Sequence, residues 1–223
     1  MISENIRDIL SKIEAAKKYP SVRVVAATKT VPVSSINEAL SLGITEIGEN
    51  RVQEAGKKFP LINFSSKLKK HFIGHLQSNK VKKAVSTFDL IQSVDSFRIL
   101  ETINFHAAQI KKVQECLIEI KISNEESKYG LLPQNIGSLL QEAALLKNIK
   151  IIGIMAMAPY FDKKELSRPY YASAYKYYSK FADEFSFTVL SMGMTGDFEI
   201  ALAEGSNMVR IGTGIFGERR YNI

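Results

Sequence analysis

The chain has 223 residues, with 30 Lys+Arg against 23 Asp+Glu for a formal charge of +7, and is 45% hydrophobic and 24% charged. That hydrophobic share excludes a disordered chain, and no apolar run reaches the roughly 18 to 20 residues that cross a bilayer. The single cysteine, Cys116, has no intramolecular disulfide partner, and the start MISENIRDIL lacks the basic opening and continuous apolar stretch of a signal peptide. The expected location is the reducing cytoplasm.

The first segment places Ile2, Ile6, Ile9, Leu10 and Ile13 on one helical stripe and predicts an extra amphipathic helix ahead of the rest. After Pro20 a compact apolar run, Val22 to Ala27, reads as a short buried strand ending at Lys29. Ser35 with Glu38 three residues on predicts a capping box, and Gly43 closes the helix that follows. Further strands are expected near Glu46 to Gly48, Phe72 to Leu76, Leu90 to Val94, Leu117 to Ile122, Ile151 to Ala156, Thr188 to Met192 and Met208 to Ile211. Helices fit between them at Arg51 to Lys58, Asn79 to Val85, Ser96 to Ile110, Pro133 to Leu146, Pro169 to Phe185 and Thr195 to Ala203. The stripe Tyr171, Tyr175, Tyr178, Phe181 and Phe185 reads as the packing face of one of these.

Apolar strands alternating with helices predict a parallel sheet, because each crossover covers a sheet face. Eight units in this length suit a single (β/α)8 TIM barrel spanning 1–223 as one domain. An open doubly wound sheet is the alternative, disfavoured by the lack of a Gly-rich dinucleotide fingerprint after the first strand.

The basicity is local. Eight lysines (57, 58, 67, 69, 70, 80, 82 and 83) and no acid lie between Lys57 and Lys83, leaving the rest of the chain close to neutral. The segment has no arginine and only Phe59, Phe64 and Phe72 for base stacking, so a solvated face is expected and nucleic acid is not an expected partner.

In a barrel the active site lies at the C-terminal ends of the strands. The first strand delivers Lys29, where partial desolvation disfavours the charged amine and favours a nucleophile; a rim salt bridge is the competing role. Strand seven ends in Ser191-Met192-Gly193-Met194-Thr195-Gly196-Asp197 and strand eight in Arg210-Ile211-Gly212-Thr213-Gly214. Glycines there let backbone N–H groups approach an anion, and barrels commonly hold a phosphate at this pair of loops. Strand eight closes against strand one, so a phosphorylated aldehyde fits both ends. Pyridoxal 5′-phosphate is the first candidate, and a sugar phosphate handled by an aldolase also satisfies the pattern. Asn50 or Lys128 can bond a phenolic oxygen beside the imine, and Arg210 can face the pyridine nitrogen; rim salt bridging is the alternative for all three. His71 and His75, four apart on a strand, are about 13 Å from each other, too far to share an ion. No metal site is expected.

The segments Val25-Ala26-Ala27-Thr28-Lys29-Thr30, Gly48-Glu49-Asn50-Arg51-Val52-Gln53-Glu54, His71-Phe72-Ile73-Gly74-His75-Leu76-Gln77-Ser78-Asn79-Lys80, Ser191-Met192-Gly193-Met194 and Arg210-Ile211-Gly212-Thr213 resemble the pyridoxal phosphate homeostasis proteins, also called proline synthase co-transcribed homologues. The likeness runs over nearly the whole chain. Lys70, where the family usually has an aromatic residue, and Thr195-Gly196-Asp197 depart from the pattern. The resemblance implies a fold-type III barrel like that of alanine racemase, with pyridoxal phosphate held as an imine on Lys29. Phosphate contacts are implied from the Ser191 to Gly193 and Gly212-Thr213 segments. The family is associated with balancing vitamin B6 rather than with robust turnover.

Alanine racemase-like enzymes add a β-domain whose tyrosine serves as a second base, and this sequence stops some ten residues after its last strand. The expected role is therefore a cofactor-holding protein with PLP-dependent apo-enzymes as partners, no membrane association, and a monomeric or weakly dimeric state. A low-activity racemase or decarboxylase is the alternative.

Overall fold

Short runs rich in Val, Ile and Leu form strands here because both of their faces are covered, one by the barrel interior and one by helices. In the computed structural model, which describes residues 1–63, 67–123, 125 and 129–218, eight such strands pair in parallel. They are β1 (Arg23–Ala27), β2 (Glu46–Glu49), β3 (Lys69–Phe72), β4 (Leu90–Val94), β5 (Gln114–Ile120), β6 (Ile149–Ala156), β7 (Val189–Met194) and β8 (Met208–Ile211). Each pairs with the next, and β8 returns to β1 with Val25 opposite Arg210 and Ala26 opposite Ile211, closing the barrel. The expected (β/α)8 architecture is thus the observed one, not the open sheet.

The helices among the described residues are α1 (Ile2–Ala16), α2 (Val33–Ser41), α3 (Val52–Lys58), α4 (Val81–Thr87), α5 (Phe97–Gln109), α6 (Ile136–Ala143), α7 (Arg168–Ala182), α8 (Phe198–Ala203) and the single turn α9 (Thr213–Phe216). None is long and apolar enough to cross a membrane. The extra helix α1 buries Ile6, Ile9 and Ile13 against α2, α8 and α9, and Asn5 Nδ2 donates to the Ile215 carbonyl at 3.0 Å. Burial of each isoleucine is worth about 1.5–3 kcal/mol, so α1 is anchored to the segment that follows β8. On α7, Tyr171, Tyr178 and Phe181 are buried as the aromatic stripe predicts, while Tyr175 lies at its edge, 37% exposed.

Several boundaries differ from expectation, three of them as follows. α2 begins at Val33 with Pro32 as its N-cap, and no Ser35 capping box forms, because the fixed φ of Pro32 already starts the turn. β3 covers Lys69–Phe72 rather than Phe72 to Leu76. Beyond it, Leu76 is 2% exposed, buried in the core between sheet and helices. β5 starts three residues earlier than the apolar run, at Gln114, whose side chain donates to the Asp89 and Glu115 carbonyls.

The large core lies between sheet and helices. A second, smaller cluster of Val25, Leu90, Leu117, Ile152, Met155, Val189 and Met208 fills the barrel interior. Gly153 makes the closest backbone approach in that wall. Its φ is +152°, and a Cβ there would lie 1.8 Å from the Val189 carbonyl oxygen across the β6–β7 pair. Gly153→Ala is expected to cost about 3 kcal/mol through strand separation, read as a lowered urea midpoint.

Candidate functional site

The C-terminal ends of β1, β2, β6, β7 and β8 surround a cavity of about 220 Å³ lined by Ala27, Lys29, Asn50, Ile73, Met157, Met194, Thr195, Gly196, Arg210, Gly212 and Thr213. Of the residues expected from sequence, Lys29, Asn50, Arg210, Gly212 and Thr213 meet here. Ser191 and Gly193 do not line it. Ser191 is fully buried beneath it, accepting Arg210 Nη1 on its hydroxyl at 2.6 Å. Gly193, at φ +93°, lets α8 approach: a Cβ would lie 2.6 Å from the Ala201 Cβ and 2.8 Å from the Phe198 Cα. Lys128 falls outside the described residues.

Lys29 is half-buried and follows β1 by two residues. Its neighbours on both sides are held by α3. Lys58 Nζ donates to the Thr28 carbonyl at 2.7 Å, to Glu49 Oε1 at 3.1 Å and to Glu54 Oε1 at 2.5 Å. Glu54 Oε1 in turn accepts the Thr30 backbone N–H at 2.7 Å, and Thr30 is held at φ +62°. The Thr28 hydroxyl donates to Glu49 Oε1 at 2.7 Å. Glu54 and Lys58 are one helical turn apart, which puts both on the face of α3 that meets the end of β1.

Burial sets the electrostatics of this support. It raises the carboxyl of Glu49, which is fully enclosed, against the opposing pull of Thr28 and Lys58. Burial acts in the same sense on Glu54, but there the hydrogen bonds from Lys58 and the Thr30 amide outweigh it and hold the carboxyl below its usual range.

On the other side of the cavity, Arg210 is 4% exposed, and Nη1 and Nη2 donate to the carbonyls of Ser191 at 2.9 Å and Ala156 at 3.0 Å. Burial lowers its hold on its proton, offset by Tyr171, Glu119 and Asp197, and the guanidinium stays charged. The loop after β7 is tied down by Asp197, which accepts the Met194 N–H and the Tyr171 hydroxyl, both at 2.7 Å. Thr195 Oγ1 accepts the Gly214 N–H at 3.1 Å, joining this loop to the one after β8. Asn50 Oδ1 is buried at the cavity without a hydrogen-bond partner.

His71 and His75 have separate environments. His71 is buried inside the barrel with Nε2 3.2 Å from Glu46 Oε2, whereas His75 stacks on Tyr129 at 3.7 Å with Nδ1 3.6 Å from Asp95. Among the described residues no group of three or more His, Cys, Asp or Glu could hold a metal. Of the lysine-rich segment, 57, 67, 69, 82 and 83 are exposed, while Lys58 turns inward to the support just described.

The family description of the alanine racemase N-terminal domain matches residues 2–220 of this closed parallel barrel. The alanine racemase of Clostridium difficile 630 superposes with a TM-score of 0.73 at 17% identity, over 98% of this chain and 58% of that one, which shows the shared fold. Likeness is greater to the pyridoxal phosphate homeostasis proteins of Aquifex aeolicus (strain VF5), 37% identical over 98% of both chains, and Escherichia coli (strain K12), 34% identical over 99% of this chain and 98% of that one. PipY of Synechococcus elongatus PCC7942, solved with PLP bound, has a TM-score of 0.88 and 32% identity, covering 97% of this chain and 100% of that one. The chain belongs to the pyridoxal phosphate homeostasis protein family.

Lys58→Met leaves the Glu49 carboxylate enclosed without its cation, with an expected loss of about 3 kcal/mol in urea unfolding. Glu49 also gives a pH signature. Its folded carboxyl is raised above the unfolded value of about 4.3, so the folded state binds the extra proton and this group's contribution to stability falls as pH rises through that window. Glu49→Gln is expected to flatten that decline in a series of urea midpoints from about pH 4 to pH 7.

Proposed function

We propose that this protein binds pyridoxal 5′-phosphate at the β1/β8 cavity and holds it for supply to the apo-enzymes that use it. The observation that carries the reading is the convergence of Lys29, Asn50, Arg210, Gly212 and Thr213 on one cavity of about 220 Å³. The unpartnered Asn50 Oδ1 supports the fit, because a buried acceptor without a donor is satisfied by a ligand hydroxyl or a bound water.

The cofactor supplies an aldehyde and an electron-withdrawing pyridine ring. The Lys29 amine is the covalent anchor: it replaces the aldehyde oxygen, which leaves as water. Thr28 and Thr30, tethered to Lys58 and Glu54, hold the lysine's backbone so that its side chain enters the cavity from a set direction. Gly212 and Thr213 offer backbone N–H groups to the phosphate without a bulky side chain in the way, and Thr195, bonded to Gly214, keeps the two loops together around it. Ser191 and Gly193 shape the site from behind, one by fixing Arg210 and the other by admitting α8. Arg210 faces the pyridine nitrogen. A fixed cation there keeps that nitrogen unprotonated and weakens the ring as an electron sink.

The lining supports holding rather than turnover. Among the described residues around the cavity the ionisable side chains are Lys29 and Arg210, and an arginine does not exchange protons near neutrality. Racemisation needs a second proton donor opposite the lysine. The names of the relatives point the same way. The chemistry uses no metal, and the reading places the protein in the cytoplasm.

Protein incubated with the cofactor is expected to become coloured, and borohydride is expected to fix the cofactor to Lys29 as a mass increase on the peptide that contains it. Lys29→Ala is expected to stay folded and colourless after the same treatment. A wild-type protein that remains colourless overturns the reading. Exchange of amino-acid Cα hydrogen in deuterated water above the rate of free cofactor overturns the non-catalytic part alone.

A further inference from the structure

A line of buried polar groups crosses the barrel interior below the cavity. Arg210 Nη1 donates to Ser191 Oγ at 2.6 Å, Ser191 Oγ to Gln92 Oε1 at 2.7 Å, and Gln92 Nε2 lies 2.8 Å from His71 Nδ1. His71 Nε2 is 3.2 Å from Glu46 Oε2, and Glu46 Oε1 accepts Arg23 Nε at 2.7 Å. His71, Gln92 and Ser191 are all 0% exposed. Nothing in the holding of Lys29 uses them.

The donors and acceptors of this line follow from its ends. A guanidinium can only donate, so the Ser191 oxygen accepts from it and the serine hydrogen is left for Gln92. Gln92 therefore turns its oxygen to Ser191 and its NH2 to His71. His71 accepts on Nδ1 and carries its hydrogen on Nε2, which lies at ion-pair distance from the Glu46 carboxylate without forming a hydrogen bond; His71 and Arg23 hold that carboxyl below the usual range despite its burial. Every hydrogen from Arg210 to His71 points the same way, away from the cation, an alignment in which neighbouring bonds polarise one another.

We propose that Gln92, aimed by His71, is a positioning residue that sets the direction of the Arg210 guanidinium through Ser191; this rests on the reading of Arg210 as the partner of the cofactor's pyridine nitrogen. The two carbonyl contacts, to Ser191 and Ala156, hold one edge of the guanidinium. The Ser191 hydroxyl holds its rotation only while its own hydrogen is drawn away by Gln92. Without that acceptor the hydroxyl hydrogen is free to swing towards the guanidinium, and the contact turns repulsive. Glutamine suits the position because a neutral amide accepts at one end and donates at the other.

The test uses the full-length protein loaded with pyridoxal 5′-phosphate. Gln92→Met keeps the volume and removes both polar ends. It is expected to leave cofactor capture on Lys29 intact, to move the visible absorption maximum and its pH titration, and to weaken cofactor binding about tenfold. Arg210→Met is expected to produce at least as large a spectral shift, and the double variant is expected to match Arg210→Met alone, because the glutamine acts only through the arginine. Should Gln92→Met fail to fold, Ser191→Ala breaks the same link from the other side, with the same spectral shift expected. An unaltered spectrum and affinity in the folded Gln92→Met or Ser191→Ala protein, or additive shifts in the double variant, overturn the proposal while leaving the cofactor reading standing. A wild-type protein with no visible band overturns both.

Discussion

The pairing of β1 with β8 is the constraint from which the site follows. Four residue pairs, from Arg23 opposite Met208 to Ala26 opposite Ile211, join the two ends of the sequence. That seam sets Lys29 beside Arg210, Gly212 and Thr213, although the lysine is separated from them by most of the chain. A barrel has no free edge, so closing it both removes exposed strand hydrogen bonds and assembles the cavity. The helix α1, packed on α8 and α9, adds a clasp across the same seam from the outside. Stability and ligand binding therefore share one set of contacts.

Much of this was legible in the sequence because the local signals were strong. Alternating apolar runs and amphipathic stretches showed the eight units, and the residues just past the strand ends included five that line the cavity. The lapses have separate physical causes. Hydrophobicity reports burial, and Leu76 is buried in the core between sheet and helices rather than by pairing in a strand. Ser35 had the right spacing for a cap, but Pro32, immediately before Val33, is the cap itself. Ser191 was read as a ligand contact because its segment is Gly-rich; its hydroxyl is spent on Gln92 and Arg210 instead.

The supporting residues were hidden for a different reason. Lys58 looked like one of eight solvated lysines, and nothing in its immediate neighbours shows that it turns inward. The Glu54–Lys58 spacing was the available clue, since a carboxylate and an amine one turn apart share a helix face. Gln92 and His71 sit in strands and find their partners on other strands, so their roles are set by closure of the barrel and not by local sequence. A glutamine in the otherwise apolar run Leu90-Ile91-Gln92 was the sign that the interior there is polar.

The inward turn of Lys58 also bears on chemical selectivity. Two lysines, Lys29 and Lys58, lie near the end of the first strand. Lys58 points its amine at three oxygens, those of Thr28, Glu49 and Glu54, and an ammonium with every hydrogen engaged has no lone pair to attack a carbonyl. The network that steadies the backbone around Lys29 thus engages the other amine, and among the described residues Lys29 is the lysine that lines the cavity.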